Sequence, residues 1–294
     1  MIPRELFRKI RHVEVRTRGL VDDVFGGEYH SAFKGSGIEF AEVRPYQFGD
    51  DVRSIDWNVS ARQGEPYVKL FEEEREQTLL LVVDVSASEN FGSGETAKRD
   101  LAAEVSAVLG FSAIRNSDKV GLLLFSDHVE RFVPPRKGRR HVLRVLRDVF
   151  AHRATGTGTD LGEALRHAAR VLRRRAIVVL VSDFLAPPAT YEKPLKTLAQ
   201  RHDVVAIRVV DPREEALPAV GLVHVADPET GRVALVDTSS PRVRDAFAAR
   251  AADRAAQSEG VLRRARVDHV TARTDEDYAD PLVTFFRQRN RGRR

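Results

Sequence analysis

Two hydrophobic patterns alternate along most of this chain: unbroken apolar runs, and apolar residues spaced three or four apart. The runs at 79–83 and 176–181 (LLLVV and AIVVLV) are continuous, as in strands covered on both faces. Extended segments are expected at 78–84, 119–125, 129–133, 176–182 and 203–210. Between them, helical spacing predicts helices at 95–116, 139–150, 160–173 and 190–201; Leu161, Leu165, Ala168 and Leu172 form one such stripe. Strand–helix alternation of this kind predicts an α/β fold, a doubly wound, mostly parallel sheet with helices on both faces. A hairpin is expected at 220–225 and 233–236, around the turn Asp227-Pro228-Glu229-Thr230-Gly231. Helical patterns at 241–259 and 279–290 flank a last extended run at 265–271.

The beginning of the chain reads differently. Ile2, Leu6, Ile10, Val13, Leu20, Val21 and Val24 form one stripe, with Arg4, Arg8, Arg11 and Arg18 opposite, so an amphipathic helix packed on the protein body is expected. Residues 26–76 are less regular. Glycine pairs give way to an aromatic-rich segment, then to a helical turn at 50–62 in which Val52, Ile55 and Val59 share a face. The domain reading follows: 1–76 as an N-terminal extension, 77–290 as the α/β domain with an inserted hairpin at about 212–240, and 291–294 as a basic tail.

With 294 residues and 42% apolar content the chain can build a full core. Its net charge of +5 is a small excess over 48 basic and 43 acidic residues, concentrated at the two ends. That distribution is weak support for nucleic-acid binding, and no specific nucleic-acid partner is expected. The absence of cysteine excludes disulfides, thiolate metal sites and cysteine nucleophiles. No apolar run approaches the ~20 residues of a membrane helix, and the first residues lack a secretory pattern, so a cytoplasmic protein without a membrane span is expected.

The candidate chemistry lies where strands end. In open α/β sheets, ligands bind at the carboxyl ends of the strands. The first central strand ends Asp84-Val85-Ser86-Ala87-Ser88, the segment opening the helix at 160 reads Thr155-Gly156-Thr157-Gly158-Thr159-Asp160, and the strand at 176 ends Ser182-Asp183. Taken singly, each piece reads as a helix cap or a turn. If the strands are neighbours, Asp84, Ser86, Ser88, Thr159 and Asp183 converge. Two carboxylates and three hydroxyls, with no nitrogen or sulfur, suit a hard cation such as Mg²⁺, or Mn²⁺ in its place.

This order of residues resembles the metal-ion-dependent adhesion site (MIDAS) of von Willebrand factor A domains. The resemblance implies that Ser86, Ser88 and Thr159 touch the ion and that Asp84 and Asp183 act mostly through water. Farther upstream, Glu39 to Tyr46, then Gly49-Asp50-Asp51-Val52-Arg53-Ser54-Ile55-Asp56-Trp57-Asn58, Ala61-Arg62 and Tyr67-Val68-Lys69 are similar to an uncharacterised bacterial family that accompanies MoxR-type AAA+ ATPases. Chemically, Asp50, Asp51, Arg53, Asp56 and Arg62 read as a salt-bridged structural staple with Trp57 as its apolar anchor; a partner-binding surface is the alternative.

The leading functional expectation is a non-enzymatic, metal-dependent adaptor. A partner's acidic side chain would complete the ion's coordination. The resemblance implies that this partner is a MoxR-type AAA+ ATPase, acting with the protein in chaperone-like assembly or maturation of other proteins. A magnesium-dependent hydrolase or phosphatase is the alternative. Ser86 stands where an aspartyl-phosphate enzyme would need a second carboxylate, and neither a Gly-x-Ser-x-Gly nor a P-loop pattern occurs. Nucleic-acid binding through the basic ends is the third reading.

Overall fold

The computed structural model describes residues 29, 32, 33, 38–73 and 76–292. The amphipathic helix expected at the start and the last two arginines of the basic tail lie outside them. A first unit consists of β1 (Ile38–Pro45) paired antiparallel with β2 (Tyr67–Glu73), with α1 (Trp57–Gln63) between them. The single helix expected at 50–62 is instead two short pieces. A 3-10 turn, Val52–Ser54, precedes α1, and the backbone of Ile55 between them bridges to Val68. Val52 is exposed, so the supposed shared face with Ile55 and Val59 does not form. The reason is local: Asp51 and Asp56 each cap backbone N–H groups, and so restart the chain twice within six residues.

The α/β body follows as β3 (Thr78–Asp84), α2 (Lys98–Arg115), β4 (Lys119–Phe125), β5 (Val129–Arg136), α3 (Arg139–Ala151), α4 (Leu161–Val171), β6 (Ile177–Ser182), α5 (Pro188–Arg201) and β7 (Asp203–Val210). Then come the one-turn helix α6 (Pro212–Glu215), the hairpin β8 (Leu222–Ala226) and β9 (Val233–Asp237), α7 (Pro241–Arg264), β10 (Asp268–Arg273) and α8 (Ala279–Gly292). Six strands form one sheet in the order β10-β7-β6-β3-β4-β5, parallel except for β5. Among the described residues, the hairpin strands pair only with each other.

The continuous apolar runs behave as their sequence demands. Leu79, Leu81 and Val83 of β3 join one buried cluster, with Leu101 and Leu109 of α2, Val142 of α3 and Phe286 of α8. Leu80 and Val82 join another on the opposite face, with Leu161 and Leu165 of α4, Leu195 of α5 and Leu262 of α7. Each such side chain stabilises the fold by ~1.5–3 kcal/mol through burial. The doubly wound, mostly parallel α/β architecture expected from the sequence is the one observed.

Topology then places the site. From β3 the chain runs outward through β4 and β5, crosses back to β6 on the other side of β3, and continues to β7 and β10. The order therefore reverses between β3 and β6, and the crevice at their carboxyl ends is the switch point where such sheets bind ligands.

Candidate metal centre

Asp84 is the last residue of β3 and is buried. One of its carboxylate oxygens accepts the backbone N–H of Ser86 at 2.9 Å, and the other accepts the Ser182 hydroxyl, at the end of β6, at 2.8 Å. Ser86 and Ser88 lie at the start of a 3-10 turn, Ala87–Asn90, with hydroxyls 3.2 Å apart. The Ser88 hydroxyl donates to Asp183 Oδ2 at 2.8 Å. Of the five residues expected at the metal, Asp84, Ser86, Ser88 and Asp183 thus form one buried hydrogen-bonded network across the switch point.

The backbone after Asp183 is unusual. Phe184 has φ +56°, in the left-handed region that residues other than glycine rarely adopt. Its N–H is held by Ser182 Oγ at 3.1 Å, and that of Leu185 by Asp183 Oδ1 at 3.1 Å. The Phe184 ring is buried against Tyr191 in an edge-on contact. These contacts keep a strained turn in place directly behind the Asp183 carboxylate.

Two residues that the sequence reading missed complete the cluster. Glu89 is buried, and its Oε1 accepts the Asp183 N–H at 3.1 Å. One oxygen from each of Asp84, Glu89 and Asp183 lies within 4.8 Å of the others. Lys98, the first residue of α2, is fully buried and bridges Asp183 at 2.8 Å and Glu214 of α6 at 2.6 Å. In sequence, Glu89 looks like an exposed turn residue and Lys98 like a helix-surface charge. The one available signal for Glu89 is its position directly after the Asp-x-Ser-x-Ser stretch.

Charge in this cluster is undercompensated. Burial, then the nearby Asp183, pushes Asp84 up to about 7. Burial, again with Asp183 beside it, holds Glu89 well above the usual carboxylate range. Burial works against the charge on Lys98, but Asp183, Glu89 and Glu214 outweigh it and raise its pKa. Lys98 pairs with Asp183 and Glu214, beside which Arg208 and Arg254 also line the cleft, whereas among the described residues Glu89 Oε2 is buried with no hydrogen-bond partner. A buried carboxylate oxygen without a donor is costly, and a hard divalent cation beside these oxygens would satisfy it. The donor set fits such an ion.

Thr159 sits one strand over. The segment carrying it is anchored to the end of β4, where the Asp160 N–H bonds the Ser126 carbonyl at 2.7 Å. Its hydroxyl donates to Glu229 Oε1, in the turn of the β8–β9 hairpin, at 2.7 Å, a partner outside the buried network. The preceding loop is clamped by Glu130, another residue that sequence reading did not single out. Glu130 Oε1 accepts the N–H groups of Thr155 and Gly156 at 2.8 and 2.9 Å and the Ser126 hydroxyl at 2.7 Å. Oε2 accepts the Thr155 hydroxyl at 2.9 Å. Burial alone would raise the Glu130 pKa, but these donors hold it down to about 2. Gly156 leaves room for its neighbours here: a Cβ would lie 2.1 Å from Asp127 Oδ1 and 2.4 Å from Ser126 Oγ, so those side chains would have to move.

The N-terminal motif is built otherwise than expected. Gly49 has φ +107°, a turn conformation suited to glycine. Asp50 forms a two-point pair with Arg44 of β1, at 2.7 and 2.8 Å, outside the supposed staple. Asp51 caps the 3-10 turn, and Asp56 caps α1 and lies 3.4 Å from Lys69. Arg53 and Arg62 are exposed. Trp57 is 68% exposed and is not an apolar anchor: as the first residue of a two-turn helix with only Ser60 buried, it faces solvent. Phe48 is likewise fully exposed.

Among the described residues, no helix is long and apolar enough to cross a membrane. The chain is 37% identical over 290 residues to the uncharacterized protein Rv1480 of Mycobacterium tuberculosis, covering 98% of this chain and 91% of that one. Among solved structures, an aerotolerance-related membrane protein from Bacteroides fragilis is similar at a TM-score of 0.49 and 15% identity, over 74% of this chain and 99% of that one. A von Willebrand factor type A protein from Catenulispora acidiphila gives 0.42 and 11%, over 76% of this chain and 43% of that one. Residues 42–257, from β1 into α7, match the model of the family described as "Protein of unknown function DUF58", and the chain belongs to that family.

Proposed function

We propose that this protein is a non-enzymatic, metal-dependent adaptor that binds an acidic side chain of a protein partner. The observation that carries this reading is the buried triad Asp84, Glu89 and Asp183, with one Glu89 oxygen left without a donor at the sheet's switch point. Asp84, Ser86, Ser88 and Asp183, with Glu89 and with Thr159 from the neighbouring loop, would hold Mg²⁺, or Mn²⁺ in its place. When bound, the ion supplies an electrophilic position for an outside carboxylate. Phe91 and Leu185, each 41% exposed, border the triad's two segments and offer apolar contact beside that position.

Asp84 and Asp183 are poorly disposed for acid–base chemistry. Both Asp84 oxygens are engaged by Ser86 and Ser182, and Asp183 is committed to Ser88 and Lys98. Neither is a free base for activating water. The resemblance of the 39–69 segment supplies the partner class: a MoxR-type AAA+ ATPase, with the pair serving in assembly or maturation of other proteins. In this reading the exposed Phe48, Val52 and Trp57 form a second contact surface on the N-terminal unit.

The test is a pull-down of the candidate ATPase with magnesium, with chelator and over a salt series. Binding lost with chelator and in Asp84→Ala, yet insensitive to moderate salt, is the expected result. Binding that ignores chelator and falls steeply with salt would instead favour nonspecific charge pairing by the basic ends.

A further inference from the structure

The β8–β9 hairpin is attached to the body in an unusual way. At its base, the Thr238 N–H and hydroxyl bond the Gly221 carbonyl at 2.8 and 2.7 Å, which closes the hairpin on itself. Its apolar side chains do not fasten it down: Leu222, Val233 and Leu235 are 67%, 61% and 60% exposed. Yet its turn is internally ordered. Asp227 accepts the N–H groups of Glu229 and Thr230 at 2.9 and 3.3 Å and the Thr230 hydroxyl at 2.7 Å. Gly231 closes the turn at φ +68°. A rigid tip on a loosely held arm presents one carboxylate, Glu229, and that carboxylate is bonded to Thr159 Oγ1 at 2.7 Å.

We infer that Glu229 is the protein's own acidic ligand: it occupies the coordination position beside Thr159 that a partner's carboxylate would take, and the hairpin must swing away before a partner binds. This rests on the metal-dependent reading above and assigns it an internal competitor. The chemistry agrees. A fifth carboxylate brought toward Asp84, Glu89, Asp183 and Glu214 is repelled unless a cation lies between them, so the ion would tighten the contact and its removal would loosen it. The exposed hairpin faces leave little apolar contact to oppose release.

The experiment titrates Mn²⁺ into the full chain, wild type and Glu229→Gln, and follows water-proton relaxation by the bound ion, with Asp84→Ala as the control for the site. Glu229 lies in an exposed turn, so the variant folds. In wild type Glu229 excludes a water from the ion. Glu229→Gln is expected to bind Mn²⁺ about tenfold more weakly, the scale on which neighbouring groups tune metal affinity, and to show higher relaxation per bound ion. Added acetate should lower that relaxation in the variant and leave wild type unchanged. Amide exchange at residues 228–231 should be slowed by the metal in wild type only. If Asp84-dependent Mn²⁺ binding is seen but wild type and variant agree in affinity, relaxation and exchange, the internal-ligand assignment is overturned while the metal site stands. If neither protein binds Mn²⁺ in an Asp84-dependent way, the metal reading falls and takes this inference with it.

Discussion

The α/β body and the N-terminal unit both carry dense clusters of charged residues, and they treat them in opposite ways. In the body, Asp84, Glu89, Asp183 and Lys98 are buried and locked to one another across two strands. In the N-terminal unit, Asp50, Asp51 and Asp56 lie on short local elements, where they cap turns or pair with a residue nearby in sequence or on the adjoining strand. A charge in the first setting is held only by other charges and by fixed donors. In the second, nearby backbone N–H groups, and for Asp50 and Asp56 one adjacent cation, hold each charge. The same residue types therefore build a buried network in one place and cap turns in the other.

The largest effect expected to test this contrast is at Lys98. Lys98→Met removes the buried ammonium facing Asp183 and Glu214, and in chelator should destabilise the protein by about 3–5 kcal/mol in urea unfolding, as when one partner of a buried ion pair is lost. A loss below about 1 kcal/mol would mean that the cluster sheds its charge by other means. Next comes Asp84→Ala. It strands the Ser86 N–H and the Ser182 hydroxyl, at a cost of about 1–3 kcal/mol. The variant should still fold cooperatively, and its Tm should no longer rise when Mg²⁺ is added; a retained rise would remove Asp84 from the metal site.

Titration sharpens the comparison in direction. Burial pushes Asp118, at the start of β4, up to about 6 despite the Gln77 N–H and the Tyr29 hydroxyl. The folded chain then holds a proton that the unfolded chain releases near 3.8, so this contribution is greatest at low pH and is lost as pH rises through about 6. Asp118→Asn should gain on wild type over that interval in paired unfolding curves. The N-terminal unit runs the other way. The Arg44 guanidinium lowers Asp50, and the Val59 N–H leads in lowering Asp56. Their contribution is full at neutral pH and lost as pH falls below about 4, so protection of the α1 amides, relative to the intrinsic exchange rate at each pH, should drop only in acid. The smallest effect is Trp57→Ala, which should change stability by less than about 0.5 kcal/mol because the ring is solvated. It should weaken partner binding instead; a large drop in Tm would return Trp57 to a structural role.

The sequence alone determined the layering of this protein. Unbroken apolar runs at 79–83 and 176–181 can satisfy both faces only inside a sheet covered twice, and the stripes of α2, α4 and α5 supply the covers. It also marked Asp84, Ser86, Ser88 and Asp183, because clusters of oxygen-bearing residues recur directly after the strands of one sheet, although each cluster alone would read as a cap or a turn. Only the tertiary structure decided that β3 and β6 are neighbours, which makes those four residues one network. It alone brought in Glu89 and Lys98, whose burial comes from the packing of a 3-10 turn and a helix end against the β6 turn, and Glu229, which reaches Thr159 across 70 residues of chain. Hydrophobic periodicity is a property of neighbours in sequence. The environment of a charge depends on what the fold packs around it, and for that reason Trp57 and Glu89, the apolar and the acidic residue, ended on the sides of the surface opposite to those their side chains suggest.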